Sequence, residues 1–170
     1  MYVYRDWEGF MPHIPLKYVP NILTPRDRKT QYAMLLGSRK AYRRGRYVTR
    51  RAVPSYPHRP SRHLYQLQKL YGVPTSRPSP ALARATGCSV GAMKQIVRKG
   101  EGAYYSSGSR PNQTARSWGL ARLASALTGG KAAVVDYRIL EAGCAPRKRA
   151  MRLARISRKK HRRGQRVITL

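Results

Sequence analysis

Basic residues dominate this chain to a degree that limits what it can fold into. Its 170 residues include 36 Lys and Arg but only six Asp and Glu, which gives a formal net charge of +30 at pH 7. Salt bridges within the chain cannot balance this excess, and unbalanced charge opposes compaction and attracts anionic surfaces. The composition therefore predicts a small folded core and a large anionic partner, of which nucleic acid is the commonest.

The positions of proline, glycine and apolar residues predict a mainly α protein built from five segments. Prolines and aromatic residues in 1–23 predict an extended arm, because proline denies a helix or interior strand its backbone donors. This arm is expected to lie either on a neighbouring molecule or on its own core. Residues 24–71 form a basic helical and extended segment, and 72–80 a linker. Residues 81–145 form the helical core, and 146–170 a basic tail that stays disordered until a polyanion neutralises it.

The basic segment 24–71 contains two predicted helices. Thr24 and Pro25 are typical of a helix start, and this helix is expected to end near Leu36. The second helix begins after Ser61 and ends at Gly72. Three tyrosines are interleaved with the ten Lys and Arg of residues 26–51. This mixture suits phosphate and base contacts, and it suits packing among acidic protein subunits equally well.

The core segment begins with the spacing of a helix-turn-helix unit. A short helix over 81–86, a turn at Gly87 and a second helix over 89–99 bring small and apolar residues to the crossing. If the second helix entered a major groove, the residues nearest the bases would be Ser89, Gly91, Lys94 and Gln95. The alternative is a helical hairpin that packs a core and reads no sequence.

The rest of the core segment is predicted as a loop and two helices. Residues 100–114 form a polar, glycine-bearing loop, and loops of this length tend to be functional. A helix then runs from about Thr114 to Thr128, with Trp118 on its apolar face at the centre of the core. A last core helix is expected over 132–142.

Neither cysteine lies in a CxxC motif or beside a histidine, so the sequence supports neither a zinc site nor a disulfide framework. Cys88 and Cys144 are expected to be small, buried or half-buried thiols in a reducing compartment. No apolar run approaches 18 residues, and Arg5 and Asp6 stand where a signal peptide needs apolar residues. A protein of the cytoplasm or nucleus, neither secreted nor membrane-spanning, is expected.

The sequence nominates no active site. The six acids are scattered, and the four histidines lie in proline-rich, basic or tail surroundings without a ligand-spaced pair. General acid–base or nucleophilic catalysis needs such groups to be brought together. We therefore expect a non-enzymatic protein with no catalytic residue, no metal and no cofactor.

Several stretches of the chain resemble a known protein family. They comprise residues 18–31 and 38–47, the stretch from 83–90 through Gly-Ala-Tyr-Tyr-Ser-Ser-Gly-Ser-Arg-Pro-Asn-Gln-Thr at 102–114, and residues 117–119 and 128–131. These stretches resemble an uncharacterised basic protein family of large nucleocytoplasmic DNA viruses, of which some tailed phages encode a shorter similar version. The resemblance implies a viral origin and a place in the virion, and it brings no activity and no site residue.

The function predicted is that of a virion structural protein, either a minor capsid protein or a core protein that contacts the genome. Its expected partners are capsid or other virion proteins and nucleic acid, with double-stranded DNA favoured over RNA. Contact with an anionic membrane surface is a further alternative. The rival predictions are a helix-turn-helix DNA-binding protein and a ribosomal-type RNA-binding protein. The candidate polyanion-binding residues are Arg39, Lys40, Arg43, Arg44, Arg46, Arg50, Arg51, Lys94, Arg110, Arg147, Lys148, Arg149, Arg158, Lys159, Lys160, Arg162 and Arg163.

Overall fold

The structure, a computed structural model, describes residues 14–57 and 59–164. These residues contain helices and connecting turns and no named strand, which confirms the predicted mainly α class. The helices are α1 (Pro25–Arg43), α2 (Arg62–Tyr71), α3 (Pro80–Thr86), α4 (Val90–Ser106), α5 (Ala115–Leu127), α6 (Lys131–Val135), α7 (Tyr137–Gly143) and α8 (Arg149–Gly164).

The chain divides into two compact units. Unit 1 combines the residues before Pro60 with Gly102–Ala115, and unit 2 combines Pro60–Glu101 with the chain from Arg116 onward. Helix α4 therefore belongs to unit 2 as far as Glu101, and its last turn belongs to unit 1. The chain leaves unit 1 and returns to it, so each unit is made of two separate stretches of sequence.

Helix α1 begins where the sequence predicts and ends later. The Oγ1 of Thr24 accepts a hydrogen bond from the backbone N–H of Asp27, which satisfies one donor of the first turn. The helix continues through Gly37 to Arg43, beyond the end predicted near Leu36. A glycine inside a helix costs only about 1 kcal/mol relative to alanine, so Gly37 weakens α1 without ending it.

The described part of the predicted arm folds back on unit 1. Tyr18, Val19 and Leu23 are buried there, and the Nε2 of Gln31 in α1 donates to the carbonyl oxygen of Tyr18 at 3.0 Å. Of the two alternatives for the arm, this part lies on its own core. Residues 1–13 lie outside the described residues.

The prediction of a loop over 100–114 is wrong in its first half, because α4 continues to Ser106. Gly100 is buried where α4 crosses α5, and a Cβ built on it would lie 2.7 Å from the Cα of Gly119. A Cβ on Gly119 would lie 2.7 Å from the carbonyl oxygen of Val97. The glycine that suggested a loop therefore permits two helix backbones to approach closely.

We expect Gly119→Ala to lower the free energy of unfolding by about 1–3 kcal/mol, the usual cost of forcing an extra methyl group into a packed contact. Urea unfolding followed by circular dichroism measures the change. The matched control is Gly102→Ala in the same α4, where the added Cβ meets nothing within 4 Å. This control should be neutral or gain up to about 1 kcal/mol, and an equal loss in both variants would contradict the close crossing.

Unit 2 has one apolar core, built mainly from α4, α5, α7 and α8 together with Leu67 of α2 and Leu82 of α3. The core centre predicted at Trp118 is wrong, because that side chain is only half-buried. The largest fully buried side chains of α5 are instead Leu123 and Leu127. The predicted helix over 132–142 is divided at Asp136 into α6 and α7, and the Asp136 side chain is buried in an ion pair described below.

The prediction of a disordered tail after residue 146 is also wrong for the residues that the structure describes. Arg149–Gly164 is helix α8, which contacts α6 and α7. Ala150, Met151 and Ala154 are buried in the core of unit 2. Three small or flexible side chains at helical spacing dock this helix, although eight of its 16 residues are Lys or Arg.

The two cysteines form a disulfide, and the prediction of free thiols is wrong. Cys88 follows the Gly87 turn and Cys144 follows α7, and their Cα atoms are 3.9 Å apart. Backbone bonds on either side, from Ser89 N to Gly143 O at 2.7 Å and from Ala145 N to Gly87 O at 2.8 Å, form an isolated antiparallel bridge at the two cysteines. The disulfide therefore fixes the turn between α3 and α4 to the end of α7.

Tyr71 gives unit 2 a pH-dependent contribution to stability. Its hydroxyl donates to the carbonyl oxygen of Leu127 at 2.7 Å, and burial raises the pKa of Tyr71 to about 12, with Arg149 acting in the opposite direction. The pKa in the folded state is raised above the value of about 10 in the unfolded chain. The stabilisation is therefore fully present below pH 10 and is lost as the pH rises towards 12.

We expect the wild-type protein to lose more stability between about pH 9 and pH 11.5 than Tyr71→Phe does, because phenylalanine cannot ionise. Urea unfolding at the two pH values measures the difference. Tyr65→Phe is the matched control on the same helix, since the Tyr65 side chain is exposed. If all three proteins lost stability equally, the contribution assigned to Tyr71 would be wrong.

Candidate polyanion-binding surfaces

Three of the four described carboxylates take part in bonds within the chain. Asp136 is buried in an ion pair, and Glu101 bonds to Arg116 at 3.2 Å. Asp27 accepts the backbone N–H of Ser55 at 2.8 Å, and the hydrogen bonds from Ser55 lower the pKa of Asp27. Glu141 is exposed. The exposed cations of residues 14–57 and 59–164 therefore have few carboxylates with which to pair.

Asp136 is the centre of a charge cluster in unit 2. Its side chain is fully buried and accepts two hydrogen bonds from Arg122, from Nε at 2.7 Å and from Nη2 at 2.8 Å. The Nζ of Lys99, which is half-exposed, lies 2.8 Å from Oδ1 of the same carboxylate. Two cations thus share one acid, and the cluster joins α4 and α5 to the break between α6 and α7.

Arg50 was predicted as a polyanion-binding residue, and the structure places it inside unit 1 instead. Its guanidinium is buried, and it donates to Ser38 Oγ at 2.8 Å, Tyr104 O at 3.0 Å and Ser109 Oγ at 2.9 Å. Its Cζ lies 3.7 Å from the centroid of the Tyr104 ring. Burial lowers the pKa of Arg50, and the nearby tyrosines act in the opposite direction. Arg50 therefore links residues 102–114, called here the signature stretch, to α1, and its guanidinium is not available to a partner.

Arg39 has a similar internal role. Its Nε and Nη2 both donate to the carbonyl oxygen of Ser107, at 3.0 Å and 2.6 Å. Asn112 completes the attachment of the signature stretch, because its side-chain amide accepts from Val53 N at 2.7 Å and donates to Val53 O at 3.1 Å. The residues after α4 therefore shape unit 1 through these bonds.

The other cations predicted in unit 1 are exposed at its surface. Tyr47 is also exposed and makes edge-to-face contacts with Tyr42, at 5.9 Å between ring centroids, and with Tyr105, at 5.1 Å. Aromatic rings beside cations can bind nucleic acid. The exposed predicted cations are Lys40, Arg43, Arg44, Arg46, Arg51 and Arg110.

The two helices predicted on either side of Gly87 are present as α3 and α4. Gly87 ends α3 in the left-handed conformation, and Lys94 and Gln95 of α4 are exposed with Arg98 one turn on. Ser89, however, caps α4, because its Oγ accepts from the backbone N–H of Ala92 at 3.2 Å. A Cβ on Gly143 would meet the Cβ of Ala92 and would lie 3.2 Å from Ser89 Oγ. The first turn of α4 is therefore packed against the end of α7.

Helix α8 and the turn before it carry most of the remaining predicted cations. Arg147, Lys148, Arg149, Lys159 and Lys160 are exposed, although the side chain of Lys148 lies beside Gly87. The Nη1 of Arg149 also donates to Leu70 O at 3.0 Å. The guanidinium of Arg158 is half-buried over the ring of Tyr137, at 4.2 Å from its centroid. Arg162 and Arg163 belong to α8, and their side chains lie outside the described residues.

Sequence reasoning missed two exposed cations of α8. Arg152 and Arg155 lie on the same outward side as Lys159, and the Nη1 of Arg155 donates to Pro146 O at 2.8 Å. The sequence itself shows this helical face, because the cations are three and four positions apart and lie opposite the apolar positions 150, 151 and 154. These two cations were left out because the tail was expected to be disordered.

Neither a metal site nor a membrane span is found in the part of the chain that the structure describes. No group of three or more His, Cys, Asp or Glu residues there could hold a metal ion. None of the described helices combines the length and apolar character that a membrane crossing needs.

Comparison with known proteins identifies a family of unknown function, DUF5824, whose profile matches residues 15–142. The chain belongs to this family. No curated protein and no solved structure matches the chain. The family match covers the helices from α1 to α6 and all but the last residue of α7, so α8 lies beyond it. The description of the family assigns no activity and no site residue.

Proposed function

We propose that the protein is a non-enzymatic structural component of the particle of a large DNA virus. Its cationic surfaces bind the packaged DNA or acidic surfaces of capsid subunits. One observation carries this proposal: the described carboxylates are mostly bound internally, whereas both units expose many cations. A protein with this imbalance attracts polyanionic partners, and a bound polyanion relieves the charge repulsion that opposes its compact state.

The disulfide adds support for a place in the particle. Disulfides persist in secreted proteins and on virion surfaces, and they are rare in the reducing cytosol. The link between Cys88 and Cys144 therefore favours a protein that acts outside that compartment after assembly. The resemblance to a viral protein family points in the same direction.

Mass spectrometry of purified particles tests the proposal. We expect the protein in particles that have been treated with protease and nuclease, at a fixed ratio to the major capsid protein. Its absence from particles, together with abundance in the infected cell, would overturn the virion role. Loss of the protein when the capsid shell is kept but the DNA is released would place it with the genome rather than with the shell.

Sequence-specific DNA binding through the hairpin is a second candidate function, because Lys94, Gln95 and Arg98 share the exposed side of α4. Side chains of this kind read base edges in the major groove. The double variant Lys94→Ala/Gln95→Ala should then abolish preference among DNA sequences. Equal affinity of wild-type protein for all duplexes would exclude this candidate.

A further inference from the structure

We infer that the exposed side of α8 binds the phosphate backbone of duplex DNA without reading its sequence. This inference rests on the proposed function and names the surface and the ligand. The surface, called here the α8 cationic face, consists of Arg149, Arg152, Arg155, Lys159 and Lys160 with Ile156 among them.

The α8 cationic face is a regular array of charge held on a rigid support. The opposite side of the helix is buried through Ala150, Met151, Ala154 and Ser157. With a rise of about 1.5 Å per residue, its first and last cations are roughly 16 Å apart along the axis. Such a length spans several phosphates of a duplex, whose two strands together carry about one charge per 1.7 Å of axis.

The charges of this face destabilise the helix that carries them. Arg152, Arg155 and Lys159 stand at spacings of three and four residues, where like charges repel by about 0.2–0.5 kcal/mol per pair. Arg149 and Arg152 also lie in the first turns of α8, where no acidic residue is found and where the helix dipole favours anions. A bound polyanion removes both sources of repulsion.

Two cations of the face are already held in place by bonds to backbone carbonyls. Arg149 and Arg155 each use one N–H group of the guanidinium on a backbone carbonyl, of Leu70 and Pro146 respectively. The guanidinium has five N–H donors, so four remain for phosphate oxygens. Fixing the side chain beforehand reduces the entropy lost on binding.

The composition of the face favours phosphate contacts over base readout, although Arg and Lys also bind guanine in the major groove. Its exposed residues include no Asn, Gln, Ser or Thr, the side chains that distinguish adenine or bind either base type. Arg and Lys at five of six exposed positions suit uniform contacts to phosphate. The apolar side of the helix is buried in unit 2, so it cannot insert into a lipid surface.

The test is the salt dependence of binding to a fluorescent 30-base-pair DNA of random sequence. The probe variant is Arg152→Gln/Arg155→Gln/Lys159→Gln. We expect the log–log slope of affinity against salt to fall in magnitude by up to about 2.7, because each phosphate contact contributes about 0.9. Affinity near 0.1 M salt should fall on the order of 100-fold.

The matched control is Arg62→Gln/Lys69→Gln/Arg77→Gln, which removes three exposed cations from the same unit without touching α8. It should keep most of the wild-type affinity, and circular dichroism should show both variants folded. Equal losses in probe and control would overturn the inference, because binding would then follow net charge alone.

Further outcomes separate this inference from the proposed function. Wild-type binding that survives in the probe variant would overturn the role of α8 and leave the virion role intact. A larger loss from Ile156→Gln than from the probe variant would overturn the inference too, because Ile156, 63% exposed, would then mark an apolar protein contact. No salt-sensitive binding by the wild-type protein would remove genome contact altogether.

Discussion

Replacing Asp136 with Asn should lower the free energy of unfolding by about 3–5 kcal/mol, the usual cost of removing one partner from a buried ion pair. The variant leaves Arg122, which is 18% exposed, without its carboxylate. Lys99 would lose less, because its side chain reaches solvent. Urea unfolding measured by circular dichroism at neutral pH gives the difference.

A double variant separates charge from packing in this cluster. In Asp136→Asn/Arg122→Met no buried cation remains unpaired, so stability should recover by at least about 1 kcal/mol relative to the single variant. Glu101→Gln is the surface control, since the pair with Arg116 is worth at most about 1 kcal/mol. A loss for Asp136→Asn no larger than that of the control would contradict the buried pair.

Loss of the disulfide should lower the free energy of unfolding by about 3–4 kcal/mol. The bond joins residues separated by 56 positions, and closing a loop of this size restricts the unfolded chain by roughly that amount. Cys88→Ser/Cys144→Ser and treatment with a phosphine reductant should give the same loss. Because the bond fixes the Gly87 turn to the end of α7, proteolysis of the reduced protein should begin near these residues.

Alkylation followed by mass measurement checks that the bond forms in solution. Iodoacetamide should label no cysteine of the purified protein under denaturing conditions, and it should label two after reduction. Two labels before reduction would show the thiols to be free. Equal unfolding curves for the oxidised and reduced protein would contradict a stabilising bond.

Local chemistry allowed the ends of several elements to be predicted from the sequence. Thr24 caps α1, Gly72 ends α2 in the left-handed conformation, and Gly87 forms the hairpin turn. Each of these depends on a few neighbouring residues, and the sequence shows those neighbours directly. The helical class and the hairpin followed from the same local patterns.

Errors arose wherever the deciding partner is distant in the chain. The sequence around Gly100 predicts a loop, whereas the structure uses this glycine for the close contact of α4 with Gly119 of α5. Cys88 has no cysteine nearby, and its partner is Cys144. Asp136 lies at the break between two helices, and its buried carboxylate pairs with Arg122 and Lys99 on other helices. Spacing along the sequence carries no signal for any of these encounters.

The candidate site was predicted in part for the same reason. Arg50 and Arg51 are adjacent cations in one basic run, yet Arg50 is buried and Arg51 is exposed. The difference is set by Ser38, Tyr104 and Ser109, which supply acceptors only after the chain returns to unit 1. The sequence shows where the cations are, but only the packed structure shows which of them are buried and which are exposed.

Unit 1 is made of two stretches of sequence separated by part of unit 2, so its first stretch is synthesised well before its second. Arg50 needs Tyr104 and Ser109, and Leu35 lies against the residues after α4. A ribosome adds roughly 5–20 residues per second, so the first part of unit 1 waits on the order of 3–12 s for its second part. During that delay a strongly basic nascent segment is exposed next to ribosomal RNA. We therefore expect translation to pass through an interval in which this chain is prone to bind the ribosome that makes it.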